Sequence, residues 1–261
     1  MSAPYYSDGT VTLWLGDCRV ILPTLGQFDC CLTDPPYGET SLAWDRWPDG
    51  WPALVADHTS PMWCFGSLRM FLDRRDEFAV WKLSQDVVGE YKIDMMVWEK
   101  HMGTGFAADR FKKVHELAAH WYRGSWSYVH HEAQREVGGT AVKGTVYRSA
   151  NRTPHSGKVG GTPWDDDGQR LVRSVLRVAN MRFRALHPTE KPIGILDPLI
   201  RYACPPGGTV LDPFAGSAST LVAARDSGRR AVGIEASEEY AERAARRLQQ
   251  GSLFGEVIGD G

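Results

Sequence analysis

The sequence predicts an α/β fold, a mainly parallel central sheet with helices on both faces, carrying an inserted segment near residues 123–185. Three observations lead there. The chain has 261 residues, 43% of them hydrophobic and 11% aromatic; at roughly 100–200 residues per domain this suits one domain with a modest insertion, and it is too apolar for a disordered chain. Two apolar, β-rich runs stand near the start, at Val11–Leu15 and Phe28–Thr33. After Pro192 the pattern becomes helix, strand, helix, strand, helix, the alternation of parallel α/β units.

Each element has a local reason. The run Phe28–Thr33 ends at Asp34-Pro35-Pro36-Tyr37-Gly38; a prolyl ring lacks an N–H and disfavours helix before it, so the segment reads as a buried strand closing in a rigid turn. Further strands are expected at Pro61–Gly66 and Lys92–Trp98. Val114–Trp121 reads as a strand or a short helix, reached after a glycine-containing loop at Gly103–Gly105. Between about Gly124 and Ala185 periodicity fades and Gly, Ser, Thr and Arg accumulate; helical spacing returns only at Gln169–Val178. That stretch reads as an insertion with irregular structure. Ile193–Cys204 is helical in spacing, Pro205-Pro206-Gly207-Gly208 is a turn, and Thr209–Leu211 is a short strand ending at Asp212. Ser217–Asp226 is a helix, Ala231–Ile234 a strand ending at Glu235, and Glu238–Gln249 a helix; the tail 251–261 is expected to be flexible.

Composition excludes several classes. No run of 18 apolar residues occurs, and the start, Met-Ser-Ala-Pro-Tyr-Tyr-Ser-Asp, has neither a basic nor an apolar signal region, so no membrane span or secretion is expected and the location is read as cytoplasmic. Cys18, Cys30, Cys31, Cys64 and Cys204 are an odd, unpatterned set that fits reduced core thiols rather than disulfides or a metal site. The net charge of −2 argues against a protein that coats nucleic acid, yet between Trp121 and Leu186 eleven Lys and Arg face five Asp and Glu. One segment can therefore face a polyanion while the rest does not. Asp165-Asp166-Asp167 reads as a solvated turn, and His130, His131 and His155 as surface or phosphate-facing residues.

Two segments carry chemistry. In open α/β sheets, ligands sit outside the carboxyl ends of strands, and an acid on the following strand can accept ribose hydroxyls. Asp212-Pro213-Phe214-Ala215-Gly216-Ser217, with Glu235 23 residues beyond Asp212, fits a nucleoside-containing cofactor. Asp34-Pro35-Pro36-Tyr37 fits the handling of an exocyclic amine: a carboxylate and the Pro35 carbonyl accept its N–H groups, Pro35 and Pro36 fix the backbone, and Tyr37 offers a ring on which a flipped base stacks.

With these motifs the sequence resembles the amino-methylating DNA methyltransferases, which use S-adenosylmethionine to modify adenine N6 or cytosine N4. Asp34–Tyr37 is similar to that family's catalytic motif, Asp212–Ser217 to its methionine-binding loop and Glu235 to its ribose acid. Leu186-His187-Pro188-Thr189-Glu190-Lys191-Pro192 looks like the segment upstream of that loop, where Thr189 and Lys191 lie near the cofactor's amino-acid end. Leu15-Gly16-Asp17-Cys18 resembles the place where an aspartate accepts from the cofactor's adenine. Asp34 precedes Asp212 by 178 residues, the permuted order of the family's beta group.

The resemblance implies a Rossmann-like S-adenosylmethionine-dependent methyltransferase fold. Residues 1–122 would form its catalytic half, 123–185 a target-recognition insertion and 186–250 its cofactor-binding half. It implies Asp34, Pro35, Pro36 and Tyr37 as catalytic residues. Asp17, Cys18, Thr189, Lys191, Asp212, Phe214, Gly216, Ser217, Ser219 and Glu235 would bind cofactor. Arg148, Arg152, Arg182 and Arg184, in the basic segment, are candidates to contact the phosphates of double-stranded DNA, and no metal is needed. Asp rather than Ser before Pro-Pro-Tyr favours adenine over cytosine, a bias of the family. A homodimer and a restriction-endonuclease partner are left open. The family loop usually continues Gly-Ser-Gly-Thr, but here it reads Gly216-Ser217-Ala218-Ser219; Ala218 is expected to take a negative φ. A non-catalytic nucleic-acid-binding protein with a decayed cofactor loop is the alternative of another class. Trp98-Glu99-Lys100 and His115-Glu116 recur in related proteins as strand ends flanking the site, without a derivable role.

Overall fold

A strand buried on every residue needs a covering layer on both faces, and Cys30–Thr33 is such a strand. It lies in the middle of the large sheet in the computed structural model, which describes residues 3–84, 95–104, 109, 111–137, 145–146, 164–165, 167–179 and 190–250. The first half holds strands β1 (Tyr6–Ser7), β2 (Val11–Leu15), β3 (Cys30–Thr33), β4 (Met62–Gly66), β5 (Lys82–Leu83), β6 (Met95–Thr104) and β7 (Lys113–Tyr122), with helices α1 (Cys18–Ile21), α2 (Trp51–His58) and α3 (Leu68–Asp73). Short strands β8 (Arg135–Val137), β9 (Thr145–Val146), β10 (Trp164–Asp165), β11 (Gln169–Leu171) and β12 (Val175–Arg177) follow. The chain then runs through α4 (Ile193–Ala203), β13 (Thr209–Asp212), α5 (Ser219–Asp226), β14 (Arg230–Glu235) and α6 (Glu238–Gln249).

The sheet order is β1-β2-β14-β13-β3-β4-β7-β6-β12, with β5 also on β7. Strands β2, β14, β13, β3 and β4 are mutually parallel, and β7 turns the edge antiparallel against β4 and β6. Strand residues alternate between two cores. Cys30, Leu32, Val210, Trp63 and Phe65 face the layer of α4, α5 and α6; Cys31, Leu211, Met62 and Cys64 face that of α1, α2 and α3. This is the period-two alternation that a strand imposes.

The order also places a site. Neighbours β13 and β3 pair through Val210 with Cys30 and Leu211 with Cys31. The chain leaves β13 through α5 toward β14 on one side and leaves β3 through α2 toward β4 on the other. Where crossovers diverge, a crevice opens beyond the carboxyl ends of the strands, and Asp34 and Asp212 stand at those ends.

The chain divides into two compact units, Met1–Glu132 with Ser174–Gly261, and Ala133–Arg173. The described part of the second contains two antiparallel ribbons, β8 with β11 and β9 with β10. The helical spacing at Gln169–Val178 is overturned. Gln169–Leu171 is β11, and Val175–Arg177 is β12, parallel to β6 at the sheet edge. Val172, Val175 and Val178 are β-branched and fit strands better than helices, and the edge of β6 supplies the Val97 N–H to the Ser174 carbonyl at 2.8 Å. Val114–Trp121 resolves as strand β7; Lys92–Asp94 and the tail 251–261 lie outside the described residues. Among the described residues no helix is long and apolar enough to cross a membrane.

Candidate active site

The turn after β3 and the loop after β13 open into one cavity of about 360 Å³, entirely within the first unit. Its lining includes Asp34–Tyr37, Asp212–Ser217, Ser219, Glu235, Asp17, Cys18 and Lys191. The structure thus brings these sequence-predicted residues together. Thr189, Arg148, Arg152, Arg182 and Arg184 lie outside the described residues.

At the β13 end, Asp212 is buried and its Oδ1 accepts from the Thr33 hydroxyl at 2.8 Å and from the Phe214 N–H at 3.1 Å. One carboxylate therefore ties strand β3 to the loop after β13. Burial pushes its pKa up to about 6, against the lowering effect of the hydroxyls of Thr220 and Thr33 and the Phe214 amide. The Phe214 ring packs edge-on against Trp51 of α2 at 5.2 Å. Glu235, at the tip of β14, accepts the Gly216 N–H on Oε2 and the Ser237 N–H on Oε1, both at 2.8 Å. These bonds fix the carboxylate and leave its other lone pairs toward a ligand. Burial raises its pKa, opposed by the amides of Ser237, Gly216 and Ala236.

Close packing holds this loop down. A Cβ on Gly233 of β14 would lie 2.7 Å from Leu221 Cδ2 and 2.9 Å from Ala215 Cβ, so only glycine fits there. Ala218 corrects the sequence expectation: its φ is +66°, left-handed, and it is fully buried. The loop needs the glycine conformation at this position, and the alanine adopts it at a cost of about 1–2 kcal/mol.

The β3 end is more heavily charged than the sequence suggests. Asp34 Oδ1 accepts from the Tyr37 hydroxyl at 2.6 Å, and Oδ2 takes the Lys191 ammonium. Lys191 also reaches Glu116 of β7 at 3.3 Å, and the other Glu116 oxygen is bonded to Lys100 of β6. Burial alone would lower the Lys191 pKa, but Asp34 and Glu116 raise it; burial alone would raise that of Glu116, but Lys191 and Lys100 lower it. Burial and the Asp34 charge push the Tyr37 phenol well above its usual range. Lys191, which the resemblance places near the amino-acid end of a cofactor, is thus paired with Asp34 in the same cavity.

Two other predicted residues are already engaged. Asp17 caps α1 through the Arg19 N–H at 2.9 Å and pairs with the Arg19 guanidinium at 2.6 Å, and that hydrogen bond lowers its pKa. Cys18 is buried, and burial pushes its thiol up to about 12. Beyond the turn after β3, Asp45 gathers the loop, accepting the amides of Gly38 (2.7 Å), Glu39 (3.0 Å) and Thr40 (2.7 Å). Glu190 pairs at 2.8 Å with Arg247 of α6, which also donates to Ser219 Oγ at 3.0 Å. The basic segment is partly neutralised by carboxylates outside it. Arg123 pairs with Asp57 at 3.7 Å and Arg177 with Glu99 at 2.8 Å.

Sequence reasoning assigned no role to Lys100, Glu116, Asp45 or Arg247. A signal existed for Lys100 and Glu116, in segments that recur in related proteins as strand ends flanking the site; Asp45 and Arg247 carried none.

The sequence model of the N6/N4-type methylases, described as a DNA methylase family, matches residues 28–246. The chain belongs to this DNA methylase family. Over 265 residues it is 26% identical to the Type II methyltransferase M.ScaI of Streptomyces caespitosus, covering 95% of this chain and 84% of that one. Among solved structures, the M1.HpyAVI–SAM complex matches with a TM-score of 0.60 at 20% identity, over 91% of this methylase and 98% of that chain. The cytosine-N4-specific PvuII DNA methyltransferase matches with a TM-score of 0.59 at 13% identity, over 98% and 90%. These likenesses show a Rossmann-like methyltransferase fold.

Proposed function

We propose that this DNA methylase transfers a methyl group from S-adenosylmethionine to the N6 amine of an adenine flipped out of double-stranded DNA. The observation that carries the reading is the convergence of Asp34-Pro35-Pro36-Tyr37 and the Asp212–Ser217 loop with Glu235 on one cavity. The donor set fits the cofactor. Glu235, pinned by two amides, is an acceptor for a ribose diol; Phe214 offers a ring face; and the carboxylates along the wall suit a cationic ligand. Asp17 joins this set while sharing its charge with Arg19.

When bound, S-adenosylmethionine supplies a methyl made electrophilic by its sulfonium. The chain supplies position and charge. Asp34, oriented by Tyr37 and Lys191, and the carbonyl of Pro35 accept the N–H groups of the amine and orient its lone pair. As positive charge develops on nitrogen, the Asp34 carboxylate stabilises it and takes the departing proton on an oxygen. A target amine is inaccessible within a duplex, so the base is flipped, and the Tyr37 ring covers its face. Residues 123–185 serve as target-recognition segment, with Arg148, Arg152, Arg182 and Arg184 on phosphates, which orient the duplex without reading its sequence.

Asp at position 34 supports adenine, whereas the fold likeness to a cytosine-N4-specific enzyme keeps cytosine N4 as the second reading. Methylation-sensitive sequencing of DNA from cells expressing the protein decides between them. N6-methyladenine in a fixed context, absent with Asp34→Ala, is the expected result; N4-methylcytosine would replace the adenine assignment.

A further inference from the structure

We propose that Glu116 is a positioning residue for methyl transfer, acting through Lys191 to keep the negative charge of Asp34 available to the target amine. The inference rests on the reading of Asp34 as the amine's acceptor. Glu116 lies on β7 one residue before Leu117, the partner of Gly66 at the end of β4, and its carboxylate joins two cations, Lys191 at 3.3 Å and Lys100. Lys191, 7% exposed along its side chain, continues to Asp34 and lies 5.1 Å over the Phe65 ring. The signs alternate along Asp34, Lys191, Glu116 and Lys100, so the formal charges cancel.

The order of that chain matters for the chemistry. A nitrogen gaining positive charge is stabilised by an acceptor to the extent that the acceptor's own charge is not already neutralised, and the effect grows where water is scarce. With Glu116 present, the Lys191 cation is shared between two carboxylates. Without it, the ammonium bears more fully on Asp34, competes for its lone pairs and opposes charge on the amine. Stability alone is a weak reason for burying such a chain, since buried ion pairs seldom outperform apolar packing.

The test uses the full chain with tritium-labelled S-adenosylmethionine and unmethylated bacterial genomic DNA at saturation, with cofactor affinity from calorimetry and Tm measured in parallel. Glu116→Gln should lower kcat about ten- to a hundredfold, each tenfold being about 1.4 kcal/mol of barrier, while the cofactor Kd stays within about twofold. Glu116→Asp keeps the charge and should retain more activity than Glu116→Gln, although glutamine is closer in shape. In a Lys191→Met background, adding Glu116→Gln should cause no further loss. Greater activity in the Gln than in the Asp variant, or the same fold-loss in both backgrounds, would overturn the proposal. Should Glu116→Gln fail to fold, the double variant, which removes one charge of each sign, is compared with Lys191→Met alone: equal activity is expected, and a further loss overturns the proposal. An Asp34→Ala enzyme that still transfers methyl groups would instead overturn the reading of Asp34. A wild type that is active, an Asp34→Ala variant that is not, and independent effects at 116 and 191 would remove Glu116 alone.

Discussion

Replacing Asp212 by asparagine isolates the cost of burying a carboxylate between the two motifs. Asp212 is 3% exposed, its Oδ1 bonded to Thr33 on β3 and to the Phe214 amide, and burial pushes its pKa from 3.8 up to about 6. A folded pKa above the unfolded one means that the folded state binds the proton more tightly. The stabilising contribution is therefore fully present below the unfolded value and is lost as pH rises through the folded one. At about 1.4 kcal/mol for each tenfold in proton affinity, the interval amounts to about 3 kcal/mol. Asparagine has the same shape, still accepts from Thr33 and Phe214, and does not titrate. Its amide adds a buried donor that costs about 1–3 kcal/mol if unmet, a cost independent of pH. The informative quantity is thus the change with pH. In urea unfolding, the stability of Asp212→Asn minus that of wild type should rise by about 2–3 kcal/mol between about pH 4 and pH 7 and then level off. Curves that stay parallel to within about 0.5 kcal/mol would refute the burial argument.

Ala218→Gly should change stability by less than about 1 kcal/mol, because relief of left-handed strain is offset by a freer unfolded chain and a lost buried methyl. Ala218→Val, β-branched at positive φ in a buried position, should cost more than about 2 kcal/mol; a wild-type Tm for the valine variant would contradict the assigned conformation. Asp45→Ala removes the acceptor for three amides and should accelerate hydrogen exchange at Gly38, Glu39 and Thr40 while leaving the Asp212–Ser217 loop protected; unchanged exchange would free Asp45 of its loop-holding role. Glu235→Ala should weaken S-adenosylmethionine binding about ten- to a hundredfold by calorimetry, from the loss of a charge-assisted bond of about 1.5–3 kcal/mol. Wild-type affinity would remove Glu235 from the cofactor site.

What the sequence disclosed follows from how local each feature is. Helix α6 begins and ends where its spacing puts it, since Ala241, Ala244, Ala245 and Leu248 supply a buried stripe within one segment. Asp34 and Asp212 were both legible as strand ends, and the pairing of β3 with β13 is what brings them together. Helices α1 and α3 are four and six residues long, too short for a hydrophobic period to declare itself. At Gln169–Val178 a spacing compatible with a helix lost to β-branched residues and an open sheet edge. Glu116 meets Lys191 across 75 positions of chain, and no local pattern encodes which of many lysines a buried carboxylate will find.

The carboxylates at the ends of β3, β13 and β14 and across from them on β7 divide by their partners. Around Asp34 and Glu116 the partners are cations, Lys191 and Lys100. Around Asp212 and Glu235 they are hydroxyl and amide donors, which leave the carboxylates their formal charge once ionised. A cavity with low-dielectric walls concentrates that field, so Asp212 and Glu235 offer negative potential at the ends of β13 and β14, while the chain Asp34–Lys191–Glu116–Lys100 beside β3 is balanced. A cationic ligand is favoured on the first side and a neutral amine on the second. Loss of positive charge from the ligand after transfer would weaken its hold on the first side. The distribution of partners, more than the number of acidic residues, therefore supports assigning the β14 end to S-adenosylmethionine and the β3 end to the base.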